Sequence, residues 1–176
     1  MADFKNPLLQ EAEDRIEAGL EPETRANYTK IVVAGLHAGL AKGPDGILAS
    51  ILKSPDPLSD AAKGAVSLVL ILRKEAHGIM PLKAMVPAAM TLMMHALAFA
   101  EQAGIVKIGA PELVKATHVF TDTIFAAFGI TKQGLANAAQ KVHGIMQDPA
   151  AMAKINLKAG VTRHPMSATP TPMPAA

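Results

Sequence analysis

The chain contains no cysteine and no tryptophan, and aromatic residues make up only 3% of its 176 residues. Without cysteine it has neither disulfides nor thiolate metal sites, and a reducing compartment is compatible with that composition. With so few aromatic residues, the core must be built mainly from alanine, leucine, isoleucine, valine and methionine. Alanine, leucine and methionine are good helix formers, whereas strands favour β-branched and aromatic residues. The composition therefore predicts an all-helical protein.

Charge is also scarce and unevenly placed. The net charge is +2, with seven acids and three bases in residues 1–25, and eight acids and fourteen bases in the remainder. The bases are scattered singly and lack the clustering and the stacking aromatics of a nucleic-acid groove, so specific nucleic-acid binding is not expected. The first residues contain no apolar run of the kind that opens a signal peptide, which favours a protein made in the cytoplasm.

The longest uncharged stretch lies between Lys83 and Glu101, seventeen residues without a formal charge. A helix that is apolar on every side is expected to be buried on every side. If this helix begins near Pro87 and runs to Ala100, it is roughly 21 Å long, short of a hydrocarbon core of about 30 Å. We therefore predict the central core helix of a bundle, with a membrane-inserting segment as the alternative.

Prolines at helix starts and glycines after helix ends divide the rest of the chain. The middle of the segment that begins at Pro57 has strand-like residues, but its length favours a helix. We predict helices over residues 8–18, 22–41, 47–53, 57–76, 87–100, 110–128, 132–146 and 149–158.

These segments predict an all-α fold, a compact bundle of about seven to eight short helices with an extended C-terminal tail. We expect an acidic N-terminal helix in residues 1–20, a helical core domain in 21–159 and a Pro-rich tail in 160–176. The tail cannot build a core, so we expect it to be extended or disordered unless a partner binds it. Its partner-binding residues would be the prolines Pro165, Pro170, Pro172 and Pro174.

A search for catalytic and metal-binding patterns gives no enzyme signature. The six histidines do not show the helical spacing of a zinc protease site, although their meeting in three dimensions remains open. Ser50 and Lys53 match an S-x-x-K pattern without its companion motifs, and the turn 43–46 lacks the Lys and Ser/Thr of a phosphate loop. We predict a protein that is not an enzyme and needs no cofactor. An enzyme with a His-lined pocket around His95 or His118 ranks last.

Methionines are concentrated near the apolar helix: five of the ten lie between Met80 and Met94. Methionine is flexible and polarizable, so such a cluster suits a groove that repacks against partners. It also suits gap-filling in a core that has few aromatic residues. Both interpretations stay open, because the adjacent Met93 and Met94 must point to different sides of one helix.

Three segments carry a resemblance to a known class of proteins. Residues 31–36 (IVVAGL), 43–50 (GPDGILAS) and 85–92 (MVPAAMTL) are similar to the small, helical, Ala- and Met-rich virion proteins of tailed phages. Within roughly residues 25–130 the chain resembles the internal or ejection proteins of short-tailed, N4-like phages. The resemblance implies a non-enzymatic structural protein that is packaged in the virion, oligomerises and passes with the genome into the host envelope.

The first functional hypothesis is therefore an internal, ejection or tail-associated virion protein, made in the host cytoplasm, that binds itself, other virion proteins and the membrane. The alternative is a soluble helical adaptor that accepts a partner helix in its Met-rich groove. We expect the apolar residues of two helices to make the oligomer or membrane contacts: Val66, Val69, Leu70, Met85, Met90, Met93, Met94, Leu97 and Phe99.

Overall fold

The structure is a computed structural model that describes residues 4–41, 50–51, 53–131, 133–134, 136–137 and 140. These residues contain five helices: α1 (Pro7–Ala18), α2 (Pro22–Ala41), α3 (Pro57–Glu75), α4 (Leu82–Gln102) and α5 (Ala110–Ala127). The chain divides into two compact units, residues 1–129 and 130–176, and all five helices belong to the first.

The all-α prediction is confirmed for the part of the chain that the structure describes, which contains helices and no strand. The predicted helices at 47–53, 132–146 and 149–158 lie largely outside those residues, and the tail 160–176 lies wholly outside them. The number of seven to eight helices therefore stays a prediction.

The N-terminal ends of α1 and α3 are capped as their sequences indicate. The Asn6 side chain accepts a hydrogen bond from the Leu8 N–H, and the Asp56 side chain accepts one from the Ser59 N–H. Each cap satisfies a backbone donor that has no partner within the helix. Pro7 and Pro57 follow as first helical residues, a position where proline needs no N–H partner. In α3 helical length prevails over the strand-like run in its middle.

The central helix begins earlier than predicted. α4 starts at Leu82 and contains Pro87 inside its second turn, so the expectation that the helix begins near Pro87 is wrong. A proline removes one N–H, whose helical partner would be the carbonyl four residues earlier, at Lys83. Lys83 lies on the exposed surface, where water can satisfy that carbonyl. An interior proline is therefore tolerated so close to the helix start.

α4 is the core of the first unit. Twelve of its residues are buried, and α1, α2 and α3 all pack against it. Met93 and Met94, which point to different sides of α4, are 1% and 2% exposed. The neighbouring helices therefore cover α4 on both of these sides. α5 packs on α3, and the two run in the same direction: Lys115 binds Asp56 at one end, and Arg73 lies over the Phe128 ring at the other.

α2 packs closely on α4 at Gly35. A Cβ added to Gly35 would come within 2.5 Å of the Leu92 Cδ1 atom. The absence of a side chain at this position lets the two helices approach each other. One turn later, Gly39 has more space, with the nearest atom, Leu68 Cδ2, 3.8 Å from the same ideal Cβ position.

Candidate functional site

Most residues expected to make oligomer or membrane contacts lie inside the single-chain bundle. Six of the nine are at most 2% exposed: Val66, Val69, Met85, Met93, Met94 and Leu97. Leu70 and Met90 are partly buried against the core, and Phe99 is 37% exposed. Phe99 is the only member of the set that is exposed. The tail prolines Pro165, Pro170, Pro172 and Pro174 lie outside the described residues.

The methionine cluster has no open groove. Met85, Met93 and Met94 are enclosed by the chain's own helices, and Met80 and Met90 pack against the same core. The methionine side chains therefore fill space in a core that has few aromatic residues. A partner helix would have to displace one of the chain's own helices to reach these side chains.

The outer face of α2 is weakly polar. A shallow open groove on this face is lined by five residues: Ala26, Thr29, Lys30, Val33 and Ala34. Val33 is 49% exposed, and Lys30 carries the only formal charge between residues 26 and 41. A solvated helix face normally carries more charge, whereas small uncharged side chains allow another helix to approach closely. We call these five residues the α2 face.

A second exposed apolar feature is the turn between α3 and α4, residues 76–81. Ile79 at its tip is 84% exposed, and Leu82 immediately after it is 49% exposed. The turn has the geometry of a Schellman motif: the Gly78 N–H donates to the Arg73 carbonyl at 2.9 Å, and the His77 N–H donates to the Lys74 carbonyl at 3.0 Å. This backbone holds Ile79 away from the core.

Polar groups are buried where α1 and α2 meet α4. The Tyr28 hydroxyl and the Thr91 hydroxyl lie 2.8 Å apart in a hydrogen bond, and both residues are at most 1% exposed. Burial raises the pKa of Tyr28 to about 12, and the negative charges of Glu13 and Glu17 act in the same direction. The hydrogen bond therefore joins two protonated hydroxyls in a dry interface.

A carboxylate and an imidazole meet in the same region. Glu13 of α1 is 2% exposed, and its Oε1 atom lies 3.6 Å from Nε2 of His95 in α4. The ring of Phe4 covers the imidazole, with ring centroids 4.7 Å apart. Burial lowers the pKa of His95, and the positive charge of the chain's N-terminus lowers it further. We call Phe4, Glu13 and His95 the α1–α4 seam.

A second set of polar contacts joins the start of α1 to the end of α4. The Asn6 side-chain amide donates to the Glu101 carboxylate, at 2.9 Å from Oε2, and to the Ile108 carbonyl at 2.9 Å. The Ile108 N–H donates to Glu101 Oε1, also at 2.9 Å. Glu101 therefore links α1, α4 and the segment that leads into α5.

Sequence reasoning missed both polar connections, because each partner lies far away along the chain. One local signal was present: Glu13 follows Leu9 by four residues and precedes Ile16 by three, which places an acid on the apolar stripe of α1. His95 is likewise the one titratable side chain in the long uncharged run of α4. An acid and a base that each lie on an apolar helix surface could therefore have been predicted to contact each other.

The other three histidines that the structure describes do not form a metal-binding group. His37, His77 and His118 lie on the exposed surface, while His143 and His164 fall outside the described residues. Within the described part of the chain, no group of three His, Asp or Glu side chains is placed to hold a metal ion.

α4 also has the length and composition of a membrane-spanning helix, the one such helix among the described residues. Of its most apolar stretch, 61% is buried inside the bundle. A core helix of a soluble protein meets the same criteria, and the contacts of α4 with three other helices account for its apolar character.

Comparison with protein-family models, with curated proteins and with solved structures found no match to this chain.

Proposed function

We propose that this chain is a non-enzymatic structural protein of a tailed-phage virion, an internal, ejection or tail-associated component that self-associates. The virion assignment is supported by the resemblance of residues 31–36, 43–50 and 85–92 to such proteins. The self-association is supported by the weakly polar α2 face.

The observation that carries self-association is the α2 face. A core built around α4 already buries most of the apolar residues of α3 and α4, so folding does not require a further apolar face on α2. The α2 face nevertheless presents Val33 with Ala26, Thr29 and Ala34 beside a single cation, Lys30. Two copies of such a face can meet around a twofold axis, because small side chains leave room for close helix packing and the outward lysine can reach solvent.

Mass spectrometry of purified phage particles tests the virion assignment. Peptides of this chain should copurify with the capsid and tail proteins through a density gradient, at a constant ratio to them in every particle fraction. A non-structural phage protein from the same lysate is the matched control and should be depleted. Recovery of the chain only in the soluble lysate would contradict the assignment.

The proposed contact with the host envelope is tested separately with vesicles. Addition of the protein to liposomes of anionic phospholipid should release an encapsulated dye. Because Ile79 and Leu82 are the apolar residues exposed at a helix turn, an Ile79→Ser, Leu82→Ser variant should release less dye than the wild type. A Val114→Ser variant, which changes an exposed apolar residue of α5, is the control. Dye retention with the wild-type protein would remove the envelope contact from the proposal.

A further inference from the structure

The turn between α3 and α4 carries the most exposed of the large apolar side chains that the structure describes. Ile79 is 84% exposed, and Leu82, at the start of α4, is 49% exposed. Pro81 between them is exposed as well, and Met80 is partly buried against the core. Residues 78–82 (GIMPL) contain no polar side chain. We call residues 78–82 the α3–α4 tip.

We propose that the α3–α4 tip is a lipid anchor: it inserts Ile79 and Leu82 into the surface of an anionic bilayer while helices α1 to α5 stay folded. This inference rests on the proposed contact with the host envelope and deepens it, because it identifies the segment that enters the lipid and the charge of the lipid that the segment prefers. It does not depend on the virion assignment.

Much of the backbone of the turn is already hydrogen-bonded within the chain. The N–H groups of residues 76–79 all donate to backbone carbonyls, at distances of 2.9 to 3.1 Å. Pro81 has no N–H, and its carbonyl accepts the Ala84 N–H at 3.0 Å. A backbone group without a hydrogen-bond partner is costly in lipid, where no water can satisfy it. The turn can therefore enter the bilayer surface at a lower cost than an open loop of the same composition.

Basic side chains lie on both sides of the tip along the chain. Lys74 precedes it at the end of α3, Lys83 follows it directly, and both are exposed. At a bilayer surface, lysine ammonium groups beside an inserted segment can remain at the level of the lipid phosphates. This arrangement favours anionic over neutral lipid.

Two acids oppose that attraction. Glu75 adjoins Lys74, and the Glu21 Oε2 atom lies 3.2 Å from the Lys83 Nζ atom. The Glu21 and Lys83 side chains are 66% and 77% exposed, so their ion pair contributes little to stability and can exchange for a lipid phosphate. An anionic surface repels Glu21. The charge of Glu21 should therefore weaken binding, whereas the charge of Lys83 should strengthen it.

Lipid can reach the tip without any change in the fold, which is not true of α4. Of the most apolar stretch of α4, 61% is buried. Its insertion would break the buried hydrogen bond between Tyr28 and Thr91 and would uncover the faces of α2 and α3 that pack on it. A protruding turn needs no shape match with a fluid bilayer, whereas a protein partner would need a cavity for Ile79.

Sedimentation with lipid vesicles tests the proposal on the full chain. The wild type should bind vesicles of mixed phosphatidylglycerol and phosphatidylcholine more tightly than vesicles of phosphatidylcholine alone. Ile79→Ser should weaken binding about tenfold, because it removes a large apolar side chain whose transfer from water favours the bound state by at least that factor.

Val114→Ser is the matched control and should bind vesicles as the wild type does. Val114 is 56% exposed and adjoins Lys115, which binds Asp56 at the start of α3. The tip follows the other end of α3, whose 19 residues span roughly 28 Å.

Two charge variants separate lipid binding from a structural role of the ion pair. Lys83→Gln should weaken binding to the anionic vesicles about fivefold, and Glu21→Gln should strengthen it. Both substitutions break the same ion pair, so a purely structural effect would move both variants in the same direction. Such a parallel change would overturn the proposal.

Fluorescent labelling shows which segment enters the lipid. The chain contains no cysteine, so Ile79→Cys and Val114→Cys each carry a single fluorophore. A quencher attached to the lipid acyl chains should reduce the emission at position 79 and leave the emission at position 114 unchanged. Emission from Tyr28, the only tyrosine, should stay the same because the bundle remains closed. A change in Tyr28 emission together with an unquenched label at position 79 would indicate insertion of α4 and would overturn the proposal.

Failure of the lipid anchor is distinguishable from failure of the envelope contact. If the wild type binds vesicles and Ile79→Ser binds them equally well, the anchor is overturned and the envelope contact stands. If the wild type binds neither kind of vesicle, both are overturned. If Ile79→Ser loses self-association but keeps vesicle binding, the tip is a contact between copies of the chain, and the anchor alone is overturned.

Discussion

The only tyrosine of the chain reports on the interior at the scale of a single residue. Tyr28 is 1% exposed and hydrogen-bonded to Thr91, and burial raises its pKa to about 12. The unfolded chain loses the same proton near pH 10, so the stability contributed by this residue is present below about pH 10 and is lost as the pH rises towards 12.

Ultraviolet absorbance of the tyrosinate ion measures this shift without interference from other residues of the same type. The native protein should titrate well above the urea-unfolded protein. Thr91→Val removes a hydrogen bond that lowers the pKa, so the variant should titrate no lower than the wild type. A native midpoint near pH 10 would mean that the hydroxyl is solvated and that α2 does not pack on α4 as the Tyr28–Thr91 hydrogen bond requires.

A second residue-scale prediction concerns the end of α3. His77 has a φ of +51°, a left-handed conformation, at the position of the Schellman motif that Gly104 occupies after α4 with a φ of +74°. A side chain in this region is unfavourable because its Cβ crowds the backbone. His77→Gly should therefore raise the free energy of unfolding by roughly 1 kcal/mol.

Urea unfolding measures the effect, and His77→Ala is the matched control. The alanine variant loses the imidazole but keeps the Cβ, so it should not gain the same stability. An equal gain in both variants would show that the imidazole, rather than the backbone conformation, is unfavourable at this position.

At the scale of helices, two glycines of α2 allow a matched comparison. Gly39→Ala places a Cβ at ordinary contact distance from Leu68, 3.8 Å, and should stabilise α2 by up to about 1 kcal/mol through helix propensity. Gly35→Ala places a Cβ 2.5 Å from the buried Leu92 side chain and should cost about 1 to 3 kcal/mol through overpacking.

Chemical denaturation of both variants and of Gly35→Ala combined with Leu92→Ala decides the origin of the difference. If contact with Leu92 is the cause, the two substitutions in the double variant should be strongly non-additive. Additive effects would show that α2 and α4 do not approach as closely as the Gly35–Leu92 contact requires.

The sequence predicted the elements where local chemistry determines them. Asn6 before Pro7 and Asp56 before Pro57 define helix starts that the structure confirms, because capping and the missing proline N–H act within a few residues. The prediction that α4 starts near Pro87 was wrong, because the helix begins at Leu82. A proline near the beginning of a helix is tolerated when the carbonyl it leaves without a partner faces solvent, and that exposure is a tertiary property.

The candidate sites could not be predicted in the same way. Glu101 binds Asn6 across 95 residues of sequence, and Glu13 meets His95 only because α1 packs on α4. Periodicity predicts which face of a helix is buried, but it does not identify the neighbour. For that reason the apolar character of Met93 and Val66 indicated a contact surface, and the contact turned out to be with helices of the same chain.

At the scale of the whole molecule, the first unit combines a filled core with one weakly polar helix face, on α2. α4 is enclosed by α1, α2 and α3, so most of its apolar residues, apart from Leu82 and Phe99, are buried within the chain's own bundle. In contrast, Val33 on the α2 face and Ile79 at the tip of the turn between α3 and α4 are exposed. α4 therefore forms the centre of the fold, and we propose that copies associate through the outer surface, most directly through the α2 face.

Light scattering coupled to size-exclusion chromatography, run over a range of protein concentrations, tests whether copies of the chain associate through the α2 face. The wild-type chain has a mass of 18.3 kDa, and the account predicts a larger, concentration-dependent mass in solution. Val33→Glu places a charge on the α2 face and should return the protein to the mass of one chain, whereas Val114→Glu, at a similarly exposed valine of α5, should leave the association intact. A wild-type protein of 18.3 kDa at every concentration would contradict the account.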